Sequence, residues 1–337
     1  MTVAQTLRRI PVSALLLTWC AVAAAAQPPL VLYSAQKEPF IRPMLDAFTA
    51  QTGIDVEVLS DQGPVLVERL AAEGTDSRAD VLLTVDVGNL TNAVARDLLR
   101  PMDSSVLTAN IPPALRDQEM RWVGLSRRGR ALVYAPSRVD PAQLSTYAAL
   151  AQPQWKGRLC LRTSKNVYNQ SLVAWMLTMA EPDEVENTVR GWVENLATAP
   201  LPDDTMAIRA VATGDCDVAV VNMYYLARLK RDDAQYPAAV FWPDQDDGGS
   251  HINILGAGVT AASKQPQAAQ RLLEWWSGEA AQALLASNNL EYPANLKVAP
   301  DPILAAFGPF QASDVPLAEI GQRQADAVRL MDRAGWR

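Results

Sequence analysis

An α/β architecture in two lobes is what the sequence predicts, and three observations carry it. Short apolar runs alternate with segments of helical periodicity along the chain, the arrangement that builds a sheet covered by helices. About 310 of the 337 residues remain once an N-terminal export segment is set aside, which is more than one hydrophobic core usually organises. The alternation comes in two blocks, so the chain crosses between lobes twice, near residue 130 and near residue 255.

The first element is that export segment. Arg8 and Arg9 precede an apolar run over residues 12–26 that ends in small residues, the layout of a secretory signal peptide. Residues 1–26 are assigned to it, and a mature chain starts near Gln27. The run is shorter than the roughly 20 residues a membrane-spanning helix needs, and no later segment comes closer, so the expectation is a soluble exported protein. Cys20 raises the question of lipidation, but bulky Trp19 stands where a lipidation signal wants a small residue.

Residues 29–34 then read as a buried strand and residues 41–52 as a helix, with Ile41, Met44, Leu45 and Phe48 at helical spacing and Gly53 where a C-cap belongs. Strands follow at residues 54–59 and 79–84, with helices at 64–72 and 87–99. The second block offers strands at 131–134, 158–162, 218–221 and 239–242, and helices at 170–179, 182–195 and 205–212. A loop rich in Asp and Gly (243–250) leads to an apolar strand at 252–259, then helices to Arg337, of which residues 266–286 would cover one lobe. The lobes are thus residues 27–130 with about 255–310, and residues 131–254, while 311–337 packs over them. In such folds ligands bind beyond the carboxyl ends of the strands.

Charge narrows the partners. The chain carries a formal net charge of −7, and loss of residues 1–26 removes Arg8 and Arg9 and no acid, giving −9. Nucleic acids and anionic membranes demand clustered Lys and Arg instead. Processing leaves Cys160 and Cys216. In an oxidising compartment an even pair reads as a disulfide, and two buried thiols are the other reading.

Chemistry concentrates at tyrosines. Tyr224 and Tyr225 follow an apolar strand ending at Val221, with a helix expected after the pair, so both fall on a strand-to-helix turn from which two neighbours can face one cleft. The plainer reading packs one and exposes the other. Tyr168 lies at a comparable junction between a strand and a helix. Three phenols from one lobe suit a hard trivalent cation, because phenolate is a hard ligand and high charge displaces a proton whose free pKa is about 10. With a single histidine, His251, softer metals fit poorly. His251 itself falls within an apolar stretch and reads as structural. Asp86 closes the third strand, where helix N-capping is its expected role ahead of ligation.

These segments together resemble a known family, the bacterial periplasmic ferric-ion-binding proteins of ABC transporters. The specific matches are Asn-Val-Tyr-Asn-Gln-Ser-Leu (166–172) and the Tyr224–Tyr225 turn. Leu-Tyr-Ser (32–34), Ala-Asp-Val-Leu-Leu-Thr-Val-Asp (79–86), Gly-Leu-Ser-Arg-Arg-Gly-Arg-Ala-Leu-Val-Tyr (124–134), His-Ile-Asn-Ile-Leu-Gly-Ala-Gly (251–258) and Glu-Tyr-Pro (291–293) are shared more loosely. The resemblance implies a type II periplasmic-binding-protein fold, each lobe a mixed, mostly parallel sheet flanked by helices with the ligand cleft between. It implies Tyr168, Tyr224 and Tyr225 as ligands of Fe3+, a periplasmic monomer, a membrane permease as partner, and a Cys160–Cys216 disulfide tying the tyrosine-bearing loops. Tyr33 is a framework residue on the same likeness. Where several members place a His, or a His and a Tyr, this chain has Lys37 and Glu38, so the first lobe contributes Glu38 or only an ionic contact. Other members complete the shell with carbonate or a similar anion held by arginine; Arg128 or Arg130 occupies the corresponding segment, and a salt bridge is the alternative for either.

No Gly-x-Ser-x-Gly elbow, phosphate loop or His-Glu-x-x-His is present, so a binding protein rather than an enzyme is expected. The runner-up keeps the fold and changes the cargo to an organic or oxyanion solute such as a polyamine, thiamine or a sugar phosphate. Tryptophans could stack on such a solute, but Trp192, Trp275 and Trp276 sit at helical positions where core packing is the default.

Overall fold

The computed structural model describes residues 28–337, and the signal-peptide assignment with Cys20 lies outside them. Along those residues run strands β1 (Leu30–Ser34), β2 (Val56–Ser60), β3 (Val81–Thr84), β4 (Val123–Tyr134), β5 (Leu159–Cys160), β6 (Val218–Asn222), β7 (Ala239–Phe241), β8 (Ile252–Val259) and β9 (Tyr292–Pro293). The helices are α1 (Arg42–Thr52), α2 (Gly63–Glu73), α3 (Val87–Ala95), α4 (Ser105–Asn110), α5 (Val167–Met179), α6 (Pro182–Glu194), α7 (Asp204–Thr213), α8 (Met223–Asp232), α9 (Pro266–Ser277), α10 (Glu279–Asn289), α11 (Pro302–Ala305), α12 (Leu317–Gln322) and α13 (Gln324–Arg333).

The strands follow the order β2-β1-β3-β8-β4-β6-β5, with β7 and β9 also against β4. The sheet is mixed. Parallel pairs (β1 with β2 and β3, β5 with β6) lie away from its middle, and every antiparallel pair involves β4 or β8. Antiparallel pairing is the larger share, because these two strands run against all their neighbours.

Strand β4 serves both halves of the sheet. Its first part, to Gly129, pairs with β8, and from Arg130 onward it pairs with β6, so Gly129 faces Ile252 while Arg130 faces Asn222. Gly129 is needed there, since a Cβ would stand 2.5 Å from the Trp242 ring. Periodicity reveals only residues 131–134 of this strand because Arg127, Arg128 and Arg130 interrupt the apolar run.

Apolar burial explains the layers. Leu30, Leu32, Ile41, Phe48, Leu272 and Trp276 form one core beneath α1, α9 and α10. A larger core joins Trp155, Trp192, Leu330 and Trp336, and Trp192 and Trp276 are both fully buried. The stretch at helical spacing over residues 266–286 is divided at Gly278 between α9 and α10. Helix α12 lies against α3 and α5, and α13 against α5 and α6, so the C-terminal segment spans the two halves. Cys160 and Cys216 form a disulfide with Cα atoms 5.9 Å apart. No described helix is long and apolar enough to cross a membrane.

Candidate functional site

Two helices begin in the same way and set the site. Asn166 precedes α5 with an extended backbone, and its side chain accepts from the Tyr168 N–H at 3.0 Å. Asn222 precedes α8, again extended. Each asparagine is followed by one residue and then a tyrosine, so Tyr168 and Tyr224 hold equivalent places in the first turns of their helices, with Tyr225 next. This corrects the expectation that α8 starts beyond the tyrosine pair; it starts at Met223, ahead of them. The first turn of a helix carries unpaired N–H groups and the positive end of the dipole, a favourable setting for an anionic oxygen.

Tyr224 is 3% exposed, and its ring centroid lies 4.4 Å from that of Tyr225. The Tyr224 hydroxyl accepts from the Asn222 amide at 3.2 Å. Burial first, then the charges of Tyr168 and Tyr225, push the Tyr224 phenol well above its ordinary value. Tyr225 is pushed up to about 12 by burial, then by Tyr168 and Asp204, against the opposing Tyr224 hydroxyl and Arg162. Tyr168 thus acts on both members of the pair.

Four arginines surround these rings, and their commitments differ. Arg128 lies 5.5 Å from the Tyr224 ring, but both arms of its fork grip Glu291 at 2.9 Å and a third donor reaches the Val85 carbonyl. Arg130 gives Nη1 to Asp204 at 2.7 Å and to Asn222, and Nη2 to Asn169 and the Val220 carbonyl. Arg128 thus uses three of its five N–H donors and Arg130 four, all on protein acceptors, and Arg130 Nε has no partner. Both guanidinium groups are tied to buried carboxylates, Glu291 and Asp204.

Arg162 is placed differently. Its carbon Cζ sits 5.7 Å from the Tyr168 ring, its nearest carboxylate, Asp204, is 3.7 Å away, and its buried Nε and Nη1 have no hydrogen-bond partner. Arg228 lies 4.7 Å from the Tyr224 ring and 5.8 Å from that of Tyr225. Sequence reasoning passed over both, although Arg228 stands four residues after Tyr224, hence on the same helical face.

Other candidates sit elsewhere. Glu38 is exposed in a short turn and pairs with Arg42 on the following turn; no hydrogen bond or ion pair brings it to a tyrosine. Two residues further on, the ring centroid of Phe40 is 4.3 Å from Arg228 Cζ. Asp86 caps α3 through the Gly88 N–H and also accepts from Ser171 at 2.7 Å and Asn253 at 2.6 Å. Burial raises its carboxyl to about 7 despite those donors. Tyr33 gives its hydroxyl to Glu73, as a framework residue does. His251 is buried beside Trp175, and burial followed by Arg130 lowers it to about 3.

Phenols and guanidinium groups therefore converge where hard, highly charged cations and their anions would be matched. Among the described residues no three His, Cys, Asp or Glu side chains cluster to hold a metal.

Known proteins resemble this chain over most of its length. Residues 43–308 match the family model described as bacterial extracellular solute-binding protein. The chain is 38% identical over 312 residues to iron uptake protein A1 of Synechocystis sp., covering 91% of this chain and 87% of that protein. It is 30% identical over 329 residues to the Fe(3+)-binding periplasmic protein of Serratia marcescens, covering 96% and 95%. Among solved structures, Trichodesmium IdiA (FutA) in complex with iron and citrate ligands superposes with a TM-score of 0.87 at 38% identity, covering 92% of this chain and 100% of that one.

Proposed function

The chain belongs to the bacterial extracellular solute-binding proteins, and on that premise we propose that it is the periplasmic component of an iron(III) ABC transporter, holding one ferric ion through Tyr168, Tyr224 and Tyr225. It is a transport protein and not an enzyme. The carrying observation is that the Tyr224 and Tyr225 rings lie 4.4 Å apart and, like that of Tyr168, stand beside guanidinium groups. Three phenolates neutralise a trivalent ion, and phenolate is the hard oxygen such an ion prefers.

A carbonate or carboxylate anion completes the shell. Arg128 and Arg130 were the guanidinium groups marked for it; because each already holds a buried carboxylate at hydrogen-bond distance, we assign that role to Arg162, whose buried Nε and Nη1 make no hydrogen bond. A charge-assisted bond from guanidinium to an oxyanion is strong and directional. Glu38 stays out of the shell in this reading, since it pairs with Arg42 of the following turn.

Transport then proceeds by hinge closure rather than by a reaction. The second lobe, residues 131–254, holds the ion; the first, residues 27–130 with about 255–310, swings over it about β4, and 311–337 packs across both. The closed monomer docks on a membrane permease, and residues 1–26 are removed on export. Metal analysis of protein recovered from its native compartment tests this reading: one iron per chain supports it. A bound organic solute without iron would replace it by the polyamine, thiamine or sugar phosphate alternative.

A further inference from the structure

Resting on the tyrosine reading, we infer that Arg228 is the positioning residue through which the first lobe closes on the metal site, by clasping Phe40 and the end of α10 instead of by a first-lobe ligand.

Arg228 grows from α8, one turn beyond Tyr224, and its guanidinium spans three aromatic rings: Phe40 at 4.3 Å, Tyr224 at 4.7 Å and Tyr225 at 5.8 Å. Two of those rings carry the ligand oxygens and the third belongs to the opposite lobe. Its Nη2 donates to the carbonyl of Asn289 at 3.1 Å, the last residue of α10. Such terminal carbonyls lack helical partners and form the negative end of the dipole, so a cation is welcome there. Asn288 ties the two first-lobe contacts together, donating to the Phe40 carbonyl at 3.4 Å and to Asn289 Oδ1 at 2.9 Å.

What sets Arg228 apart is the lack of any carboxylate. Among the described residues its side chain enters no ion pair, and its buried Nε has no hydrogen-bond partner. Arg128 and Arg130, by contrast, each hold a carboxylate. A guanidinium committed to ring faces and one carbonyl keeps its plane fixed against the tyrosine pair, and an Arg plane stacks where a Lys point charge does not. The first-lobe turn that carries Lys37 and Glu38 thus delivers neither of them to the site; it delivers Phe40, half-exposed and positioned to be stacked.

The test is iron loss from the mature protein to a competing chelator, followed by stopped flow at the visible ferric-phenolate band. Phe40→Ala, at a residue outside the cores, is expected to release iron about tenfold faster, with the band maximum unchanged and the thermal midpoint of the iron-free protein unchanged. Arg228→Lys, which keeps charge and loses the plane, is expected to release iron faster by a similar factor, with the band maximum displaced. Native release rates in both variants would overturn the clasp while leaving the tyrosine site standing. If the unsubstituted protein develops no ferric band, the tyrosine reading and the clasp fall together.

Discussion

Arg130 and Asp204 form an ion pair at 2.7 Å with both side chains closed to solvent, and that pair holds the two tyrosine-bearing helices in register. The same Asp204 oxygen accepts the Asn222 backbone N–H at 2.9 Å, just before Tyr224, while Arg130 Nη2 reaches Asn169 at 2.6 Å, just after Tyr168. Arg130 is a strut between helix starts.

Removing one member of a buried pair strands the other charge, so Arg130→Met should lower unfolding free energy by about 3–5 kcal/mol, read by urea denaturation. Ferric affinity should fall with it, because Asn169 and Asn222 lose their common anchor.

Tyr224→Phe and Tyr225→Phe each delete one phenolic oxygen and leave the ring packing of the pair in place. Each variant should bind ferric ion at least about tenfold more weakly in competition titrations. An unchanged titration for either removes that oxygen from the shell.

Acid should weaken binding, and the sign follows from the phenols. With Tyr225 raised to about 12 and Tyr224 well above its ordinary value, both are protonated in the iron-free protein at neutral pH. The metal must displace those protons, so each phenol that ionises on binding makes affinity fall about tenfold per unit of falling pH. Chelator-buffered ferric titrations at two pH values give the slope.

Much of this is legible in the sequence. Strand and helix alternation located β1, β2, β3 and β8, since apolar runs bounded by Gly and polar turns leave little choice. Tyr168, Tyr224 and Tyr225 stood out because each follows a strand. The guanidinium roles were not legible: Arg128, Arg130, Arg162 and Arg228 look alike in sequence, and only the location of Glu291, Asp204 and Phe40 separates those that hold a carboxylate at hydrogen-bond distance from those that do not. Glu291 lies 163 residues from Arg128, a pairing no local pattern encodes. The helix start at Met223 was masked because a tyrosine pair weakens helix propensity, while packing of Met223 and Leu226 in buried cores secures it.

The Cys160–Cys216 disulfide closes a span of 56 residues between the approaches to Tyr168 and Tyr224. The double variant Cys160→Ser with Cys216→Ser should lose about 2–4 kcal/mol of stability, seen as a lower urea midpoint, and should still bind iron once folded, since neither sulfur is a ligand.

The most direct measurement is an absorption titration of the mature iron-free protein with ferric citrate. A visible phenolate-to-iron band that grows to saturation at one iron per chain, and is lost when Tyr168, Tyr224 and Tyr225 are all changed to Phe, is the predicted result. A protein that stays colourless, or a triple variant that keeps the band, would contradict the tyrosine site.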